Sequence, residues 1–329
     1  MNFFKALWAL ALCASSAFAQ PVTIKFATLA PEGSTWMKVM SELNAELQAR
    51  TNGQLKFKIY PGGVQGDERD VVRKIRIGQL QGAGFTGVGL GEIAPELRIL
   101  DAPWLFRSHQ EVDLVYRRFE PEFRSAVEKA GFVLLGWTEL GWVHLFSREP
   151  IQKPEDLKRT RAWVWEGDPI AQAAFRALGV SPIPLSVVDV LSSLQTGLID
   201  AVYGPPMGVV ALQWFTRTKY IYPVPLAHSA GAVLVSKKTF DALSPEQRKA
   251  LLEVGGKHLR RLTELARAEN QEALKSLQKQ GLVFSQAAEK ATDFYDELGR
   301  KARRDLAGKL YSPQFLDRIE KALADNRKG

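Results

Sequence analysis

The sequence predicts an α/β protein of two lobes that face a cleft and share one long helix. Three observations predict it. Strand-like and helix-like segments alternate in two successive runs, a helical pattern of exceptional length follows them, and the first twenty residues have the order of an export signal. Such alternation builds a parallel sheet covered by helices.

The elements follow in order. MNFFKALWALALCASSAFAQ places Lys5 ahead of an apolar run through Ala14 and ends in Ala17-Phe18-Ala19 before Gln20. That is a secretory signal peptide over residues 1–19, too short in its apolar run to anchor in a bilayer. The only cysteine, Cys13, falls inside it, and Leu12 stands where a lipobox wants a small residue. The exported chain then has no disulfide, thiol nucleophile or cysteine metal site. Val22–Ala27 alternates as a strand, Ser34 caps a helix from Thr35 to Arg50, and Leu55–Tyr60 is a second strand. A helix from Asp67 to Ile77 ends at Gly78, and Gly82–Thr86 is a short buried strand.

The second run has strands at Phe132–Trp137, Trp142–Phe146, Arg161–Trp165 and Leu198–Tyr203. Asp168-Pro169 opens one helix, and Ser186 caps another through Gln195 that stops at Gly197. After a strand at Ala230–Val235, Ser244-Pro245-Glu246-Gln247 starts a helix with no strong breaker before Gly281. At 1.5 Å per residue it reaches about 50 Å, long enough to run beside both lobes. The expected organisation is lobe one over 20–142 and 231–260, and lobe two over 143–230 with part of the C-terminal region. The spanning helix covers 245–280, and C-terminal helices cover 287–329.

Composition excludes several function classes. The net charge is +8, but basic clusters such as Arg260-Arg261 are interrupted by acids, the pattern of a solvated helix face rather than a nucleic-acid stripe. No second apolar segment reaches membrane-spanning length, so the exported chain is not itself membrane-spanning. His109, His144, His228 and His258 have no metal-ligand spacing. Gly87-Val88-Gly89-Leu90-Gly91 has the glycine density of a phosphate loop but lacks its lysine-serine ending. No nucleophile elbow is present. No catalytic residue, metal or cofactor is expected. In open α/β sheets ligands sit beyond the carboxyl ends of strands, so the cleft loops are those after Ala27, Tyr60, Phe85, Trp165, Leu185 and Tyr203.

Several longer motifs stand out along the chain. They are Leu29-Ala30-Pro31-Glu32-Gly33-Ser34-Thr35-Trp36, Tyr60-Pro61-Gly62-Gly63, Asp101-Ala102-Pro103-Trp104-Leu105-Phe106 and Pro154-Glu155-Asp156-Leu157-Lys158. The most specific is Ala177-Leu178-Gly179-Val180-Ser181-Pro182-Ile183-Pro184-Leu185, leading into Leu194-Gln195-Thr196-Gly197-Leu198-Ile199-Asp200. Together these motifs resemble those of one family, the DctP-type solute-binding proteins of tripartite ATP-independent periplasmic (TRAP) transporters. The resemblance implies a two-lobed periplasmic-binding-protein fold, type II-like with parallel or mixed sheets flanked by helices, that closes on a small molecule, a periplasmic location, and delivery to TRAP membrane permease subunits. It implies no chemistry on the ligand.

The chain also departs from the family. Counting along the motifs, the place of the family's carboxylate-holding arginine falls on Trp163, that of an asparagine on Gly204, and that of a further arginine on Val143. A guanidinium grips a carboxylate through two charge-assisted bonds, which an indole cannot do. The expected ligand is therefore apolar or weakly polar rather than a small dicarboxylate. Aromatic faces beside Glu166 and Asp168 also suit a quaternary ammonium group. The alternatives are an ordinary organic-acid receptor that uses Arg161, two positions from Trp163 on the same strand face, or an exported scaffold no longer engaged in transport. The candidate ligand-binding residues are Trp36, Glu68, Phe85 and Thr86 in the first lobe. In the second they are Trp142, Trp163, Trp165, Glu166, Asp168, Leu185, Tyr203, Gly204, Met207 and Trp214.

Overall fold

The computed structural model describes residues 21–286 and 291–328. The predicted signal peptide, Cys13 included, lies outside the described residues, as do positions 287–290 of the C-terminal region. The first half opens with β1 (Val22–Ala27), α1 (Thr35–Arg50), β2 (Leu55–Tyr60), α2 (Glu68–Arg76) and β3 (Gly82–Thr86). Next come α3 (Gly87–Ile93), a 3-10 turn at Pro95–Asp101 and α4 (His109–Lys129). Ser34 accepts from the Met37 N–H and caps α1. The Gly87–Gly91 segment is thus helix, not loop, and the alternation pattern passes over α4 altogether.

β4 (Phe132–Ser147) is a single strand of 16 residues where the sequence suggests two. It leads into β5 (Trp163–Trp165), α5 (Pro169–Ala177), β6 (Ile183–Leu185), α6 (Val190–Thr196), β7 (Ala201–Gly204), α7 (Pro206–Ala211) and β8 (Tyr220–Ile221). The strands expected at Arg161 and Leu198 begin later, at Trp163 and Ala201, and the two segments ahead of them are tied to each other. The Arg161 N–H donates to the Asp200 side chain, and the Asp200 N–H to the Arg161 carbonyl. Ser186 opens a 3-10 turn, Val187–Asp189, before α6. β9 (Ala227–Ser236), α8 (Lys237–Asp241), α9 (Pro245–Lys279), β10 (Val283–Phe284), α10 (Ala291–Leu306) and α11 (Pro313–Asn326) complete the chain.

The sheet is mixed and flanked by helices, within the fold class the sequence predicts. β1 pairs in parallel with β2 and β3, whereas β3 meets β9, and β9 meets β4, antiparallel. β4 and β9 run through both halves, with register shifts between Leu134 and Gly136 and between Glu139 and Gly141. Beyond the second shift β4 carries β7 and β8. A parallel bridge from Ala162 to Ala201 brings up the two-stranded β5–β6 sheet. One extra residue in a strand bends it and increases its twist, so the second irregularity re-aims the chain where the two halves meet. Gly141 takes φ 112 there and lies against the Asn270 side chain of α9, a contact a Cβ would block. Apolar clusters cover both faces of the sheet in the first half, and two more fill the second. α9 packs against α1 of the first half and α7 of the second. A serine cap, Pro at the first turn and a reciprocal Ser244–Gln247 capping box start it. Among the described residues no helix is long and apolar enough to cross a membrane.

Candidate functional site

A cavity of about 710 Å³ opens between the two halves. Its first-half wall is built on a glycine-rich helix. α3 carries glycine at 87, 89 and 91, and each leaves room for a charged group. A Cβ at Gly87 would overlap the Asp101 carboxylate, one at Gly89 would crowd Glu68, and one at Gly91 would press on Arg98. The glycine spacing that resembles a phosphate loop in the sequence therefore seats buried charges. Gly84 does the same for an aromatic, since a Cβ there would overlap the Trp36 indole.

Glu68, 2 % exposed, accepts the Thr86 N–H at 2.7 Å, the Thr86 hydroxyl at 2.8 Å and the Gly89 N–H at 2.7 Å. It thereby satisfies donors in the first turn of α3, where a helix has no internal acceptors. Burial pushes its carboxyl up to about 7 against the pull of those hydrogen bonds. Asp101 accepts from Arg98 at 3.0 Å and from the Ala230 N–H at 2.7 Å. Arg98 reaches across the cleft with its other terminal nitrogen to Asp168, at 2.5 Å. Burial works against the Arg98 charge, but Asp168 and Asp101 outweigh it and raise its pKa. Asp168 also accepts the Ile170 N–H, so it is the N-cap of α5 and the partner of Arg98 at once.

The second-half wall is aromatic. Trp163 is 1 % exposed, stacks on Tyr203 at 4.8 Å, meets Trp214 edge-on at 5.3 Å, and donates its indole N–H to the Leu185 carbonyl at 3.0 Å. Trp165 donates its indole N–H to Asp67 of the first half, which also accepts from the Ser186 hydroxyl at 2.6 Å. The Tyr203 hydroxyl accepts the Trp165 backbone N–H, and burial with the nearby Asp168 charge keeps it protonated. Gly204 backs onto Trp214 and Val209, and Met207 is held through its N–H by the Asn270 side chain.

Of the predicted site residues, the fold brings Trp36, Glu68, Phe85 and Thr86 to the cavity from one side. It brings Trp163, Trp165, Asp168, Tyr203, Gly204, Met207 and Trp214 from the other. Three predicted residues do not line it. Val143 faces the cavity, so strand alternation turns Trp142 away, onto the first-half core, where its indole N–H donates to His109. Glu166 follows the inward Trp165 and is exposed at the turn before Gly167. Leu185 packs into the second-half core and offers the site only the carbonyl that holds Trp163. Arg161 is also outside: its guanidinium is half exposed and pairs with Asp200 at 2.9 Å. The sequence reading misses Arg98, Asp101 and Asp67. The signal was there in Leu97-Arg98-Ile99-Leu100-Asp101, an i, i+3 ion pair inside an apolar run, which has to bury its charges together.

The fold also joins two histidines that the sequence scatters. Ligand atoms of His109, Glu139 and His228 lie within 4.8 Å of one another where the start of α4 meets the paired strands β4 and β9. The proton inventory speaks against a metal. The Trp142 indole donates to His109 Nε2, which leaves the proton of a neutral ring on Nδ1, facing Glu139 at 3.6 Å. Arg267 occupies both oxygens of Glu139, and His228 adds a contact at 3.0 Å. Burial opposes the Glu139 charge, but the His228 and Arg267 hydrogen bonds outweigh it and hold the carboxyl at about 2. This is an ion-pair network, and its Glu139 and His228 line the cavity.

Residues 26–304 match the profile of the DctP family, described as bacterial extracellular solute-binding protein, family 7. The 2,3-diketo-L-gulonate-binding periplasmic protein YiaO of Escherichia coli is 28 % identical over 84 % of this chain and 81 % of its own. A TRAP periplasmic solute-binding protein from Citrobacter koseri, solved with bound D-glucuronate, superposes with a TM-score of 0.83 at 25 % identity, covering 92 % of this chain and 99 % of that one. The sugar acid binding protein of Advenella mimigardefordensis, solved with galactonate, gives a TM-score of 0.87 at 18 % identity over 93 % and 99 % of the two chains, a likeness of fold. Members of the family bind small ligands and work with membrane permease components. The chain belongs to the DctP family: it is a TRAP-type periplasmic solute receptor and not an enzyme.

Proposed function

We propose that this receptor captures an apolar or weakly polar small molecule, rather than a small dicarboxylate, and hands it to its permease. One observation carries the reading. Among the described residues lining the cavity, the only buried guanidinium or ammonium is Arg98, and two aspartates already hold it. Burying a further carboxylate without a partner costs several kcal/mol. Trp163, at the place where the family resemblance puts an arginine, supports the same reading with its indole. An apolar ligand burying about 200 Å² of its own surface gains roughly 5 kcal/mol before ordering costs, short of the ~8 kcal/mol of micromolar binding, so contacts to the aromatic wall beyond area burial have to supply the rest.

A second reading has its own support: the Citrobacter koseri and Advenella mimigardefordensis proteins hold sugar acids. On that reading this chain takes a sugar acid too, and Arg98 has to exchange a protein carboxylate for the ligand's. Native mass spectrometry of the purified protein, followed by thermal-shift screening, separates the two. The first reading predicts a carried-over neutral or weakly polar compound and no shift with D-glucuronate, galactonate, malate or succinate. A co-purified sugar acid, or a clear shift with one of these anions, overturns it.

A further inference from the structure

We infer that Asp168 sets the charge specificity of the cavity by occupying the guanidinium that an anionic ligand would need. The inference rests on the reading that the ligand is not an acid, and it names the residue that enforces this. Arg98 and Asp168 come from opposite halves and meet at 2.5 Å, with side chains 4 % and 6 % exposed. The second terminal nitrogen of Arg98 is bound to Asp101 at 3.0 Å, and its Nε is buried without a partner. One positive charge thus stands between two negative ones, all three at the cavity wall. A carboxylate entering here meets a group whose net charge is already negative and whose best hydrogen-bonding edge is taken. Rejection by an arranged repulsion is a recognised route to specificity.

Asp168 is suited to this part by its position. It opens α5 as the N-cap, so its carboxylate is fixed by the Ile170 N–H while its Oδ1 also accepts from Arg98. The cap can be kept while the charge is removed, because asparagine and serine cap helices about as well as aspartate. Without the Asp168 charge, Arg98 and Asp101 form a neutral pair, and the other terminal nitrogen of Arg98 faces only a neutral amide oxygen in Asp168→Asn and is freed in Asp168→Ser. An incoming carboxylate then takes the place of Asp168 through a charge-assisted hydrogen bond.

The test uses benzoate and benzyl alcohol, a pair with the same ring and different charge, together with D-glucuronate. Dissociation constants are measured by calorimetry for the wild type, Asp168→Asn, Asp168→Ser and the double variant Asp168→Asn/Arg98→Met. The expected result is at least about a tenfold gain in benzoate or D-glucuronate affinity in both single variants. Benzyl alcohol gains less than benzoate in both single variants, and the anion gain vanishes in the double variant. No gain in folded Asp168→Asn or Asp168→Ser overturns the inference while the reading of the ligand stands. A gain that survives loss of Arg98 also overturns it. Tight binding of either anion by the wild type instead overturns the reading itself.

Discussion

The two walls of the cavity solve the same problem in opposite ways. The first-half wall gathers Glu68, Asp101 and Arg98 around the glycines of α3, each charge held by a named partner. The second-half wall stacks Trp163, Tyr203 and Trp214 and presents ring surface. One side is polar but spent, the other apolar and large. The difference teaches that charged residues at a binding site do not by themselves announce a charged ligand. What matters is how many of their hydrogen bonds remain to be made.

The comparison can be broken first on the aromatic side. Trp163→Ala empties the centre of the stack, and truncating a buried tryptophan costs about 4 kcal/mol, read as a lowered urea midpoint. On the charged side, Arg98→Met leaves Asp101 and Asp168 buried without their cation. Breaking a buried pair in this way costs about 3 kcal/mol, checked by the same unfolding curves. Equal stability of Arg98→Met and the wild type would mean that the triad is solvated rather than spent.

Glu68 and Glu139 sharpen the contrast through pH. Glu68 titrates at about 7 in the folded chain against 4.5 when free. Between those values the folded state holds a proton that the unfolded state has shed, so stability falls as pH rises, by on the order of 3 kcal/mol at 1.36 kcal/mol per pKa unit. Glu139 has the opposite sign: its folded value of about 2 lies below 4.5, so it stabilises above pH 4.5 and that contribution is lost as pH falls toward 2. Denaturation from pH 4.5 to 7 is expected to show the falling slope in the wild type and a flatter one in Glu68→Gln. The smallest effect belongs to Arg161→Ala, an exposed pair with Asp200 worth no more than about 0.5 kcal/mol. Thermal melting and ligand binding of that variant are expected to match the wild type.

Much of the fold is legible in the sequence because its signals are local. α1 begins and ends where Ser34 and Arg50 say, and the long α9 is announced by Ser244-Pro245. α4 is missed although Ser108 stands three residues before Glu111 and caps it, because Pro121 interrupts the helical pattern. The merging of two predicted strands into β4 depends on β9 running alongside, a long-range pairing that no local pattern contains. At the site, strand alternation could have removed Trp142 and Glu166 from the candidate set. The link between Arg98 and Asp168 spans 70 positions and crosses the cleft, so only the folded chain reveals it.

Calorimetric titration of the wild-type receptor with D-glucuronate tests the central claim most directly. With Arg98 already held by Asp101 and Asp168, the titration is expected to give no saturable heat. A one-to-one isotherm with a micromolar or tighter dissociation constant would contradict it.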